Sequence, residues 1–332
     1  MCKALFVAFL LSASLLVSNS YGESSGEEVC MYTNEKGTIE QVQGRKNVPV
    51  EFRSEMKCFA AKKNTYLAAP EDITLKGSKR EESMPSSLGR IELRWPRVVE
   101  TLFGRTPTRA MSDAARAASR FIKKPGWPSE IRRLDLDYNV VFMDASLSSA
   151  EIPANLVSNC HPGWMTPPAN IYIVAQRAAA GCGGASVRKS EADAKLAEVL
   201  IHEIGHSVEA SLLGSHFGGE RFRAEGFATW FEANASDESA VIRSGKVRGE
   251  HFAIARAYLR GKDHMPEFDG SAGGYASRAL LFHAITETKG VRGLMRVYQT
   301  MREDGLTFYP AVEKSLGWSQ EKLEERALKL IR

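Results

Sequence analysis

Cysteine is scarce in this chain of 332 residues: there are five, and no two stand in the C-x-x-C spacing that a cysteine metal site would use. Beyond the N-terminal segment no apolar run reaches the length of a membrane span. Charge of one sign never accumulates. The formal balance is +4, with Lys and Arg interleaved with Asp and Glu, a pattern of solvated faces rather than of a nucleic-acid surface. No long internal repeat is present. These absences argue against a nucleic-acid partner, a membrane-embedded body and a solenoid. What remains is a globular chain, long enough for one large domain or one domain plus a small module.

The first residues read as a targeting segment. Lys3 supplies a short positive stretch, residues 4–17 an apolar one, and Ser20-Tyr21-Gly22 small residues at the −3 and −1 positions of a cleavage site. Residues 1–22 are therefore expected to be a bacterial-type signal peptide cleaved near Gly22, which implies a periplasmic or secreted protein with no stable membrane insertion afterwards. Cleavage removes Cys2 and leaves Cys30, Cys58, Cys160 and Cys182. An even number of cysteines in an oxidising compartment reads as two disulfides. Three pairings are possible; the sequence-local ones, Cys30–Cys58 and Cys160–Cys182, each bracket a compact region and would each stabilise by about 3 kcal/mol.

Residues 23–63 read as a small β-hairpin module, with Asn34 and Gly37 in the turn between two alternating strands. Residues 64–88 read as a linker, because Pro70, Gly77 and Pro85 accompany the charge run Lys79-Arg80-Glu81-Glu82. The main domain is expected over 89–332. It opens with a helix at 110–122, then strands at 138–143 and 170–175 separated by an irregular, proline-rich loop. A long helix follows at 191–213, with Ser190 as its cap and Gly214 as its stop. Another is expected at 221–235, and the rest reads as helices at 275–288, 291–302, 309–316 and 319–331, divided by Gly290, Gly305 and Gly317. The expected fold class is α+β: a small mixed sheet packed on the 191–213 helix, then a mainly helical C-terminal subdomain.

Chemistry concentrates in His202-Glu203-Ile204-Gly205-His206, an H-E-x-x-H motif inside that long helix. Residues four apart share one helix face, so both imidazoles can reach one metal ion, with Glu203 beside them as a base for water. With seven histidines in the chain, such a motif arises by accident on the order of once in a hundred sequences. Two histidines and a carboxylate, with a position left for water, make a catalytic zinc arrangement rather than a closed structural one. The H-E-x-x-H-x-x-G-x-x-H pattern is excluded because Glu209 and Leu212 stand where it needs Gly and His. His216, Glu220 and Glu225 are the third-ligand candidates. The first two flank or occupy a glycine-rich loop, whereas Glu225 lies on a helix and is better fixed.

Glu225-Gly226-Phe227-Ala228 resembles the E-G-x-A helix of the gluzincin metallopeptidases, and the 18 residues between His206 and Glu225 match the aminopeptidase branch of that superfamily. The helical stretch from Gly274-Tyr275 to Gly317-Trp318-Ser319 is also similar to the C-terminal part of these enzymes, so the resemblance spans about residues 138–332. It implies a peptidase MA-type catalytic domain holding one Zn2+ on His202, His206 and Glu225, acting on a peptide or protein substrate. Glu203 would be the general base and Tyr275, 50 residues after Glu225, the donor to the oxyanion, its plainer role being packing at a helix start. Glu232 could orient a ligand histidine from behind or simply be a solvated surface residue. The strand at 170–175 is expected to be the sheet edge above the metal, where a substrate backbone could pair. The branch's G-x-M-E-N strand is missing; the chain has Pro162-Gly163-Trp164-Met165-Thr166, so aminopeptidase specificity is not implied. The competing expectations are a non-proteolytic envelope or binding protein that keeps the metal for structure, and an amidase acting on cell-wall peptides.

Overall fold

The structure is a computed structural model of the chain. It describes residues 79–97, 99–144, 162–181, 187–217 and 219–332, together with three short N-terminal strands. Those strands are β1 (Glu28–Thr33), β2 (Ile39–Gln43) and β3 (Lys57–Ala60). They pair antiparallel in the order β2-β1-β3, with the Cα of Cys30 opposite that of Cys58. The signal segment 1–22, the turn at 34–38 and the Cys160–Cys182 pair lie outside the described residues.

The second sheet has five strands in the order β4-β5-β6-β8-β7. β4 (Lys79–Ser86) and β5 (Gly89–Pro96) form an antiparallel hairpin. β6 (Tyr138–Met143) and β8 (Asn170–Val174) continue the sheet in parallel. β7 (Gly163–Thr166) closes it antiparallel to β8. The sheet is thus mixed, and the fold combines it with helices as expected. The central strands Y-N-V-V-F-M and N-I-Y-I-V are nearly unbroken apolar runs, the signature of parallel strands buried on both faces.

Two strand expectations are corrected. Residues 79–86, read as the end of the linker, form an edge strand of the main sheet. Its charges Arg80, Glu81 and Glu82 are exposed, and charged edges are how sheets avoid pairing with other chains; the polar composition hid the strand. The strand near 170 is not the edge either. β8 lies between β6 and β7, and the edge is β7, from the proline-flanked stretch read as irregular loop.

Short helices α1 (Val99–Leu102), α3 (Ser129–Arg132) and α4 (Ala175–Ala180) connect these elements. α2 (Pro107–Ile122) starts three residues earlier than expected, because Thr106 caps it by accepting from the Arg109 N–H at 3.3 Å and Pro107 suits the first turn. The long helix α5 (Lys189–Leu213) likewise begins early: Arg188, not Ser190, is at the cap position and its side chain makes no capping bond. Gly214 ends it with φ +57°, as expected. The face of the sheet formed by Ile91, Leu93, Val140, Phe142, Ile171 and Ile173 packs into one core with α2 and α5.

The C-terminal half is helical. α6 (Arg221–Ala235) has the expected bounds. α7 (Lys246–Tyr258) was not foreseen; only its Val247 and Ala255 are buried, too few to make an apolar stripe. The two helices expected at 275–288 and 291–302 form one run, α8 (Ala272–Asp304), broken in direction at Gly290, where φ is +66° and ψ 174°. α9 (Phe308–Leu316) and α10 (Gln320–Lys329) complete the chain, the latter capped by Ser319.

Candidate metal centre

α5 and α6 meet at small residues. A Cβ on Gly205 would lie 3.2 Å from Phe231 and 3.3 Å from the Cα of Ala228, so the glycine inside H-E-I-G-H and the alanine of E-G-F-A let the two backbones approach. On the other side of α6, a Cβ on Gly226 would be 2.8 Å from the Phe282 ring and 2.9 Å from Arg278 Cβ. α6 is therefore held between α5 and α8. A buried polar network sets the register. Arg223 and Glu209, both 0% exposed, form a salt bridge, and the Tyr298 hydroxyl donates to the same Glu209 oxygen. Glu220 pairs with Arg223 at 3.4 Å and accepts the Phe308 N–H at 2.9 Å, which takes Glu220 out of contention as a ligand.

This clamp brings His202, His206 and Glu225 together. The Nε2 of His202 lies 3.4 Å, and the Nε2 of His206 3.5 Å, from Glu225 Oε2. Atoms 2.0–2.1 Å from a tetrahedrally coordinated zinc ion lie roughly 3.3–3.4 Å apart, so these residues fit such an ion. Among the described residues no other set of three His, Cys, Asp or Glu side chains comes together in this way. Glu232, two turns along α6 from Glu225, accepts from His202 Nδ1 at 3.1 Å. With Nδ1 held by Glu232, it is Nε2 that faces Glu225 and the centre.

The ionisable groups of this cluster shift one another strongly. Burial alone would raise Glu225, but hydrogen bonds and charge from His202 and His206 outweigh it and hold the carboxyl well below the usual carboxylate range. Burial would lower His202, yet Glu225 and Glu232 push it well above its ordinary value. Glu203 is 3% exposed, and its Oε2 has no hydrogen-bond partner among the described residues. Burial pushes it up to about 7, against the charges of His202 and His206.

β7 roofs this base. A Cβ on Gly163 would lie 3.1 Å from Glu203 Oε1 and 3.0 Å from Ile173, so only glycine lets the edge strand pass so close. Tyr275 sits in the first turn of α8, which Ser271 caps by accepting from the Gly274 N–H at 3.0 Å. Its hydroxyl accepts from Arg221 at 3.2 Å. Burial and then the charge of Glu225 push the phenol well above its ordinary value, while Arg221 pulls the other way.

No protein-family model matches the chain, and no curated protein matches it. The chemistry of the site rests on its own residues.

Three residues at the site carried no motif. Arg221 stands one turn before Glu225, a spacing that placed it on the same face. Gly163 could be recognised only once the edge strand was known. His251, on α7, has its Nε2 3.8 Å from Glu232.

Proposed function

We propose that this protein is an exported, zinc-dependent metallopeptidase of the gluzincin type, with Glu203 as general base. One observation carries the reading: the two imidazoles of H-E-x-x-H converge on Glu225 Oε2 at 3.4 and 3.5 Å, beside a buried Glu203 oxygen with no hydrogen-bond partner among the described residues. A zinc ion held by His202, His206 and Glu225 would supply Lewis acidity toward water and the substrate carbonyl. Glu203 takes the proton of the attacking water and returns it to the leaving nitrogen; a carboxyl lifted toward neutrality is suited to both transfers. Glu232 keeps His202 in the productive tautomer, and the Tyr275 phenol donates to the oxyanion that forms.

The substrate is a peptide whose backbone adds to β7, since main-chain pairing at a sheet edge gives affinity without sequence demands. β7 itself carries no carboxylate to hold a substrate amino terminus, which favours cleavage within a chain. The export half of the proposal rests on residues 1–22. Among the described residues no helix is long and apolar enough to cross a membrane.

The test compares the zinc-loaded protein lacking residues 1–22 with its Glu203→Gln variant on a peptide library, read by mass spectrometry. Products from the unaltered protein alone, with one zinc bound in both, support the reading. Zinc in both and products from neither shifts the assignment to a structural metal protein or to an amidase of cell-wall peptides.

A further inference from the structure

Among the described residues Arg221 is the cation that touches both the candidate metal-ligand carboxylate and the candidate oxyanion donor. It opens α6, one turn before Glu225. Its Nε lies 3.8 Å from Glu225 Oε1, and its side chain donates to the Tyr275 hydroxyl at 3.2 Å. The guanidinium also lies over the Phe268 ring at 5.8 Å, and that ring stacks on Tyr275 with centroids 5.5 Å apart and planes at 18°. Cation, phenylalanine and phenol thus form a braced stack at the rim of the centre. The loop that carries Phe268 is itself pinned, because Asp269 accepts from the Ser271 N–H and hydroxyl at 2.9 and 2.7 Å and from the Tyr258 hydroxyl at 2.9 Å.

We infer that Arg221 is a positioning residue: by donating to the Tyr275 oxygen while it lies over Phe268, it fixes where the phenol stands at the rim of the metal centre. A guanidinium can only donate, so the phenol oxygen accepts this bond, which limits rotation of the hydroxyl about its C–O bond. A positive charge at that oxygen also makes the O–H a stronger donor to a developing negative charge. Burial first, and then the charge of Glu225, disfavour charge on the phenol, and Arg221 opposes both. Lysine could supply the charge, but not the planar fork that reaches Tyr275 while stacked on Phe268.

This inference rests on the proposed peptidase reading, and the test separates the two. Arg221→Met, Arg221→Lys, Tyr275→Phe and the Arg221→Met/Tyr275→Phe pair are made in the full chain, and zinc content is measured for each. Hydrolysis kinetics are followed on a peptide that Glu203 is shown to cleave. Tyr275→Phe is expected to lower kcat roughly 100-fold, as loss of one oxyanion donor does. Arg221→Met is expected to lower kcat at least tenfold with KM within twofold and zinc retained, and Arg221→Lys to recover part of the loss. In the Tyr275→Phe background Arg221→Met should change kcat by less than twofold. Equal losses in both backgrounds, or a rise in KM confined to peptides with a free terminal carboxylate, would mean that the guanidinium contacts substrate directly and would overturn the inference.

A second readout needs neither zinc nor turnover. The chain is labelled with 13C at tyrosine Cζ, and the Tyr275 resonance is identified by its absence in Tyr275→Phe. Arg221→Met should move that resonance while leaving the other tyrosines in place. An unmoved resonance overturns the inference even where no peptide is cleaved, and a moved one beside absent hydrolysis upholds it while the peptidase reading falls.

Discussion

His202 cannot orient itself. Its ring turns freely about two bonds, and either nitrogen could face the centre. Glu232 removes that freedom by taking Nδ1 at 3.1 Å, which leaves Nε2 for the ion. Carboxylates behind metal-bound histidines typically contribute 10–100-fold in metal affinity. Glu232→Ala is therefore expected to weaken zinc binding by about that factor, read by competition with a chromophoric chelator, while the fold stays intact by circular dichroism. Unchanged affinity would reduce Glu232 to a packing role. Glu203→Gln should do the opposite, sparing zinc and removing hydrolysis. Glu232 was already visible in the sequence through its spacing, because a residue seven after Glu225 returns to the same face of a helix. Arg221 had the same kind of spacing, but nothing local connects it to Tyr275, 54 residues later.

Among the secondary-structure elements, the decisive contact is the crossing of α5, α6 and α8. Small residues at 205, 226 and 228 allow the approach, and the Glu209–Arg223–Tyr298 network fixes the register. A buried ion pair is weak evidence for net stability, but removing one partner leaves the other charge buried and uncompensated. Arg223→Met is accordingly expected to cost about 3–5 kcal/mol in urea unfolding. Replacing the pair together, Glu209→Leu with Arg223→Met, should recover most of that stability. If register rather than stability is what the pair supplies, zinc affinity will stay reduced in the double variant. Full recovery of both properties would show that apolar packing alone positions Glu225. α5 and α6 were legible in the sequence because they carry strong local signals, whereas α7, with only Val247 and Ala255 buried, was not. β7 and β4 were not, since proline and charge mask strands whose partners lie elsewhere in the chain.

The whole molecule should be acid-sensitive through a histidine outside the candidate metal set. His283 on α8 is 1% exposed. Burial, then the charge of Arg248 and of His251 on α7, lowers it from 6.5 to about 3. The unfolded chain takes up a proton here below about pH 6.5 and the folded chain does not. This residue's contribution is therefore intact above pH 6.5 and is lost as pH falls toward 3, at up to roughly 1.4 kcal/mol per pH unit. His283→Leu should flatten that part of the stability–pH curve; an unchanged slope would assign the acid sensitivity to other groups. Compartment enters at this scale too. The β1–β3 register sets Cys30 opposite Cys58, so peptide mapping without reduction of protein made in an oxidising compartment is expected to return a Cys30–Cys58 link; the Cys160–Cys182 link expected from the sequence is read in the same experiment. A bond between Cys30 and either later cysteine would overturn the local pairing.

The H-E-x-x-H face, the bounds of α6, the stop at Gly214 and the bend at Gly290 were determined by the sequence alone. Each depends on helical spacing or on the backbone freedom of one residue, and both are local properties. Only the tertiary structure decided that β7 is the edge strand, that Gly163 lies against Glu203, that Glu220 belongs to Arg223 rather than to the metal set, and that Arg221 reaches Tyr275. Those relations join residues tens of positions apart. They follow from which surfaces pack together, and no periodicity within a segment records that choice.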